Sequence, residues 1–259
     1  MALDFSIGII GSGMLGAAIA EALWRAEPKS LLMANRSGAR PDIDGFPPEN
    51  VLTDPQALAE ACDVVILCVP PAAARDLTID AKDKLVISVM AGVPLADLTR
   101  ISASPRVIRA MSSPAAAMGL AYSPWFASDA VTEDDRARTR ALFEACGQTD
   151  ELHDEAQIDL FTAMTGPVPG FVAACAAAMA RHAEGQGVPP EIADRAVRQL
   201  FLSAGQMMAE GPTPETSVQE MIDYAGTTAR GLTTLRDNGF AERLAEGLAA
   251  ATQASRDIY

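Results

Sequence analysis

Up to about residue 153, short and almost wholly apolar runs are separated by glycine, proline and charged residues; beyond it, long alanine-rich stretches take over. The runs Phe5–Ile10, Leu31–Ala34, Asp63–Val69, Leu85–Met90 and Arg106–Met111 lack the strict alternation of a half-exposed strand. A strand covered by helices on both faces has this form, so they predict the parallel strands of a buried sheet. A short strand is expected near Val51 and an edge strand over Gln148–Leu152. Between them Ala17–Trp24, Pro55–Ala61 and Thr132–Cys146 read as helices, the last with Thr132 as its cap and acids in its first turn. Alternating strands and helices predict an α/β fold, a doubly wound sheet of Rossmann type.

Beyond His153 the pattern predicts helices only, over Glu155–Thr165, Phe171–Glu184, Pro190–Glu210 and a pair from Thr227 to Asp257. Val172–Ala180 contains no charged residue, so this helix is apolar on more than one face and must be covered by others. The chain therefore divides into a Rossmann-type domain, 1–153, and an all-helical domain, 154–259. A helical domain this small cannot cover so much apolar surface alone. A homodimer or higher homo-oligomer, joined through the C-terminal helices, is the expected assembly.

Length, charge and composition sharpen this picture. At 259 residues the chain can bury two cores. Its net charge of -14 repels polyanions, so neither nucleic acid nor an anionic membrane is an expected partner. No apolar run approaches the ~20 residues of a membrane span, and the apolar N-terminus has no Lys or Arg before it, unlike a signal peptide. Cys62, Cys68, Cys146 and Cys175 lack metal-ligand spacing and read as reduced, mostly buried thiols. No metal site and a cytoplasmic setting are the expectations.

The first strand runs into Gly11-Ser12-Gly13-Met14-Leu15-Gly16 and then a helix. In this G-x-G-x-x-G arrangement the first glycine permits the turn, the second leaves room for a pyrophosphate, and the third lets the helix pack on the strand. The phosphates then meet free N–H groups at a helix N-terminus. Close to ~20 residues further on, where an Asp or Glu would accept from the 2′-hydroxyl of NAD, stand Asn35, Arg36 and Ser37. Donors and a positive charge there suit a 2′-phosphate, so NADP is the expected cofactor, with NAD as the alternative. The strand ending at Met90 leads into Ala91-Gly92, small residues that leave room for a nicotinamide ring.

The helical half contains no lysine, and the two histidines, His153 and His182, read as surface residues. Reduction of a carbonyl calls for a proton donor of near-neutral pKa, whereas an iminium arrives already protonated on nitrogen. This pattern favours C=N over C=O and disfavours an alcohol or hydroxyacid dehydrogenase. Candidate substrate contacts lie in Thr162–Phe171, with Thr165 and Gly166, and in Met221–Arg230, with Gly226, Thr227 and Thr228. The threonines can serve either as helix caps or as ligand contacts.

These residues resemble the pyrroline-5-carboxylate reductase family over nearly the whole chain. The resemblance rests on the GSGMLG turn, Asn35-Arg36-Ser37, CVPP at Cys68–Pro71, SVMAGV at Ser88–Val93, RAM at Arg109–Met111, AGTT at Ala225–Thr228, and Asn238-Gly239-Phe240. It implies an N-terminal Rossmann domain, a helical dimerisation domain, an active site at the dimer interface, and reduction of a cyclic imine to proline by NADPH or NADH. It also implies that Gly11–Leu15 and Cys68, Val69, Pro70 and Pro71 touch the cofactor, and that Thr228 contacts the ring nitrogen of the substrate.

Three segments depart from the family pattern. Met111-Ser112-Ser113-Pro114-Ala115 stands for its Met-Pro-Asn-Thr-Pro turn. Thr165–Phe171 stands for Ser-Gly-Ser-Gly-Pro-Ala-Tyr, so that Pro167 removes an N–H and Val168 adds a branched side chain at a glycine position. Asp223 replaces a serine that helps hold the substrate carboxylate, which brings like charges together. The expected function is therefore NADP-dependent reduction of pyrroline-5-carboxylate or a related imine. A dinucleotide-binding protein without catalysis, a sensor or interaction module, is the alternative.

Overall fold

Five of the buried runs lie side by side in one sheet. A computed structural model describes residues 3–166 and 169–259, so Pro167 and Val168 lie outside the described residues. The chain forms two compact units, Met1–Val168 with Ala249–Tyr259, and Pro169–Leu248. In the first, strands β1 (Ser6–Ile10), β2 (Ser30–Ala34), β3 (Val51–Leu52), β4 (Val64–Leu67), β5 (Leu85–Ser88) and β6 (Val107–Ala110) pair in the order β3-β2-β1-β4-β5-β6, all parallel. Strand β7 (Ala121–Tyr122) stands apart from this sheet, whose last member is β8 (Trp125–Ala127), antiparallel to β6.

The alternation hidden inside each apolar run is resolved by the two faces of the sheet. Val64 and Ile66 of β4 point into one buried cluster with Ile19 and Leu23 of helix Met14–Arg25 and Leu142 and Phe143 of helix Glu133–Glu144. Val65 and Leu67 point into the other, with Leu58 of helix Pro55–Ala61 and Leu98 and Ile101 of helix Leu95–Ser102. Each of the six parallel strands thus contributes apolar side chains to both layers, at about 1.5–3 kcal/mol for a fully buried Val, Ile or Leu.

Polar clamps fix the opposite ends of these elements. Asp63, just before β4, accepts from the Ser6 amide at 2.9 Å and the Ser6 hydroxyl at 2.7 Å, and its own N–H bonds Ser6 in return. These two hydrogen bonds hold the Asp63 carboxyl below the usual range. Asp135 accepts from both the amide and the hydroxyl of Thr132, closing a capping box, and from Arg106 Nη1 at 2.8 Å while almost fully buried. On β6, the buried Arg109 pairs with Asp159 and Glu155, which tie in helix Gln157–Met164 and the stretch before it.

Several elements differ from the sequence expectation, among them helix Leu95–Ser102, which the pattern does not predict. The sheet edge is β8, not Gln148–Leu152: strand β9 (Gly147–Gln148) pairs with β7 in a separate two-stranded sheet, and only a single bridge links Glu151 to Trp125. A three-residue strand needs no long apolar run when one large side chain anchors it, and Trp125 is 1% exposed. The second unit holds the expected helices, Gly170–Gly185, Pro190–Glu210 and Thr227–Asp237, with Phe240–Asp257 beginning there, and also an unexpected one, Pro214–Asp223. Its start carries a Thr213 cap on the Thr216 amide and a proline in its first turn.

Among the described residues from Pro169 to Leu248, only Ala193 and Ala229 are buried. Val172, Leu202, Met207 and Tyr224 are more than half exposed. No helix among the described residues is long and apolar enough to cross a membrane.

Replacing Asp135 by Ala removes three bonds to a buried carboxylate and should cost about 2–4 kcal/mol in urea denaturation. Because the folded pKa of Asp63 is depressed, its contribution is complete above the unfolded value and is lost as pH falls through the folded one. The Asp63→Asn variant should therefore be less stable than the wild type near neutrality and should converge with it below about pH 4.

Candidate functional site: a cleft at the sheet's carboxyl edge and a threonine cavity

Register puts the ends of three central strands on one level, since Ile10 at the end of β1 is paired with both Ala34 of β2 and Leu67 of β4. The residues that follow therefore leave the sheet together. Gly11 N–H donates to Ala34 O and Cys68 N–H to Ile10 O, each at 2.8 Å. Here the strand order reverses, with β2 on one side of β1 and β4 on the other, and open α/β sheets bind ligands at such a point. A cleft of about 650 Å³ opens there.

Of the residues expected at a cofactor, Gly11, Ser12, Gly13, Met14, Leu15, Asn35, Arg36, Cys68, Val69, Pro70, Pro71 and Ala91 line this cleft. The three glycines divide their work as their spacing implies. A Cβ on Gly11, whose φ is +110°, would sit 2.3 Å from Cys68 O, and one on Gly16 would sit 2.1 Å from Gly11 O. A Cβ on Gly13 would meet nothing within 4 Å, so its missing side chain leaves space in the cleft and not in the protein. Helix Met14–Arg25 starts at Gly13 with no side-chain cap, leaving its first N–H groups for a ligand. Burial pushes the Cys68 thiol up to about 12, so it is a neutral wall of the cleft.

The loop after β2 separates its three candidates. Asn35 Oδ1 accepts from the Ser37 hydroxyl at 3.0 Å and the Ala39 amide at 3.1 Å, while its Nδ2 donates to Ala39 O. Asn35 and Ser37 thus knot the loop, and Ser37 does not line the cleft. Among the described residues nothing engages Arg36, which is exposed at the rim as an uncommitted cation. Gly92 is also outside the lining. A Cβ there would lie 2.5 Å from Ser255 O and 2.6 Å from Ile258 Cγ2, so its small size admits another segment of the chain. Thr53, Asp76 and Leu77 are among the further residues of the wall that the motifs do not mark; Thr53 follows β3 at the same edge, a position that strand order alone could have flagged.

The substrate candidates belong to different units of the chain. Gly226, Thr227 and Thr228 line a second cavity, of about 310 Å³, with Glu220, Met221 and Tyr224. Helix Thr227–Asp237 has Gly226 at its N-cap and no side-chain cap, so neither threonine serves in that role. Glu220 and Tyr224 are four apart on helix Pro214–Asp223 and its cap and so share a face; Tyr224 falls within the expected stretch Met221–Arg230, whereas Glu220 lies just outside it. Asp223 is exposed, accepts from Gln219 Nε2 at 2.7 Å, and does not line the cavity. In the first unit, Thr165 spends its amide and hydroxyl on Phe161 O, while Gly166 packs under Thr162 O and near Met111 Sδ. His153 and His182 are exposed. No group of three or more His, Cys, Asp or Glu side chains among the described residues could hold a metal ion.

Residues 155–258 match the family model for pyrroline-5-carboxylate reductase dimerisation, and residues 6–92 match the model for NADP oxidoreductase, coenzyme F420-dependent. The pyrroline-5-carboxylate reductase of Pseudomonas aeruginosa is 31% identical over 264 residues, covering 97% of this chain and 96% of its own. That of Arabidopsis thaliana is 29% identical, covering 98% and 96%. Among solved structures, Plasmodium falciparum pyrroline carboxylate reductase with NADP bound superposes with a TM-score of 0.79 at 21% identity, covering 100% of this chain and 99% of that one.

The glycine geometry gives a paired prediction. Gly16→Ala should lower stability by about 1–3 kcal/mol or more through backbone overlap, seen as a falling Tm. Gly13→Ala should keep stability within about 1 kcal/mol and raise the Kd for NADPH at least tenfold in calorimetric titration.

Proposed function

The chain belongs to the pyrroline-5-carboxylate reductase family, and on that premise we propose that it reduces pyrroline-5-carboxylate to proline with NADPH, acting as a homo-oligomer through its helical unit. The observation that carries the reading is the cleft at the switch point, where Gly13 leaves an open approach and Arg36 stands free at the rim. The residues fit the cofactor. Uncapped N–H groups of helix Met14–Arg25 would hold the pyrophosphate and Arg36 the 2′-phosphate through a charge-assisted bond. A nicotinamide cofactor held in this cleft would supply the hydride for reduction of an iminium carbon to an amine carbon.

The protein's own part is binding and orientation. The free N–H groups at the start of helix Thr227–Asp237 suit a substrate carboxylate, and the Thr228 hydroxyl beside them suits the ring nitrogen. A ring nitrogen that arrives protonated needs no Lys or His, and the cavity around Thr228 is lined by neither. Asp223, held by Gln219 outside that cavity, does not oppose a carboxylate there. No observation among the described residues favours the non-catalytic alternative. The exposed apolar side chains of the helical unit support assembly, and the four free cysteines support a cytoplasmic setting.

Purified protein with NADPH and pyrroline-5-carboxylate should lose absorbance at the nicotinamide band, and silence would reject the proposal. Arg36→Ala removes a bond worth about 1.5–3 kcal/mol, so KM for NADPH should rise roughly tenfold to a hundredfold, with little change for NADH. Asp223→Ser should leave kcat/KM for pyrroline-5-carboxylate within about threefold; a gain beyond tenfold would place that carboxylate at the substrate.

A further inference from the structure

Residues 255–259 lie behind two walls of the dinucleotide cleft and bind them together. One wall is the loop 70–77, of which Pro70, Pro71, Ala73, Asp76 and Leu77 face the cleft. Its only regular structure is the four-residue helix Pro71–Ala74, and the turn that follows is held by long bonds, Asp76 N–H to Ala73 O at 3.4 Å and Leu77 N–H to Ala74 O at 3.3 Å. Between these lining residues, Arg75 turns outward. Its Nη2 donates to the main-chain oxygen of Tyr259 at 2.6 Å, and its guanidinium lies 5.6 Å from the centre of the Tyr259 ring.

The other wall is the stretch that follows β5, Val89–Ala91, which turns at Gly92 with φ +73°. That turn is pressed against Ser255 O and Ile258 so closely that a Cβ has no room. The Tyr259 ring packs on the buried cluster beneath helix Leu95–Ser102. Its hydroxyl accepts from Arg100 Nη2 at 3.3 Å, and Arg100 is held in turn by Asp97. The base of this segment is fixed as well. Ser255 donates to Asp159, which pairs with the buried Arg109 of β6.

We propose that Tyr259, clamped between Arg75 and Arg100, is a positioning residue that sets the nicotinamide half of the cleft from outside. The inference rests on the dinucleotide reading of the cleft. In a doubly wound sheet the adenosine half lies over β1 and β2 and the nicotinamide half over β4 and β5. Loop 70–77 follows β4 and the Gly92 turn follows β5, so the clamp touches the second half alone. It holds in place the surface against which hydride transfer is oriented, without touching cofactor or substrate itself.

Two variants test this, Tyr259→Ala and Arg75→Ala; Arg75 is exposed, so its truncation leaves the core intact. Calorimetric titration compares NADP with adenosine 2′,5′-bisphosphate, which fills only the adenosine half. Both variants should bind NADP at least fivefold more weakly while keeping the bisphosphate within twofold. Hydrogen exchange on the ligand-free proteins should speed up in residues 72–78 and 90–94 and stay unchanged in 11–16 and 35–39. Tyr259→Phe, which loses only the Arg100 bond, should fall between wild type and Tyr259→Ala. Equal weakening of both ligands, or unchanged exchange in the two loops, overturns the proposal. Failure of wild-type protein to bind either ligand would instead strike the cofactor reading, and the ligand-free exchange data separate the two.

Discussion

Level strand ends are the constraint on which the candidate cofactor site depends. Ile10 pairs with Ala34 on one side and with Leu67 on the other, so the glycine turn, the Arg36 loop and the Cys68–Pro71 segment leave the sheet in one row. A slip of one residue in either pairing would carry an entire strand's side chains to the wrong layer. Register is therefore enforced by the two cores above and below the sheet, and at the far end by the Asp63–Ser6 bonds. The cleft owes its shape to packing that lies well away from it.

The fold was legible because its strands are buried on both faces and its helices are long. Pro55–Ala61, Pro190–Glu210 and the Thr132 cap could be read from local pattern alone, since each is decided by residues adjacent in sequence. Strand β8 could not, because its place depends on Trp125 finding a hydrophobic pocket among distant elements. Helix Pro214–Asp223 was legible in principle: Thr213, Pro214 and Glu215 form an ordinary start signal, overshadowed by its polar composition.

At the candidate site, motif spacing located the glycine turn and the end of β2 but not the orientation of single side chains. Asn35, Arg36 and Ser37 are consecutive donors in the sequence, yet two of them are consumed by the loop that presents the third. Gly92 and Asp223 carry the same lesson. A small residue at a strand end can make room for protein as well as for ligand, and a carboxylate at a motif position acts only where its side chain points. The pairing of Arg109 with Asp159, fifty positions apart by their numbers, left no local signature at all.

The helical unit, with two small alanines as its buried residues among those described, has almost no interior of its own. Helices in that condition draw their stability from association, and association obeys mass action. In a homo-oligomer joined through this unit, the order of its helices would depend on how many copies are present. Dilution would act on it as a denaturant does, and a defective copy able to pair would withdraw a sound one from use.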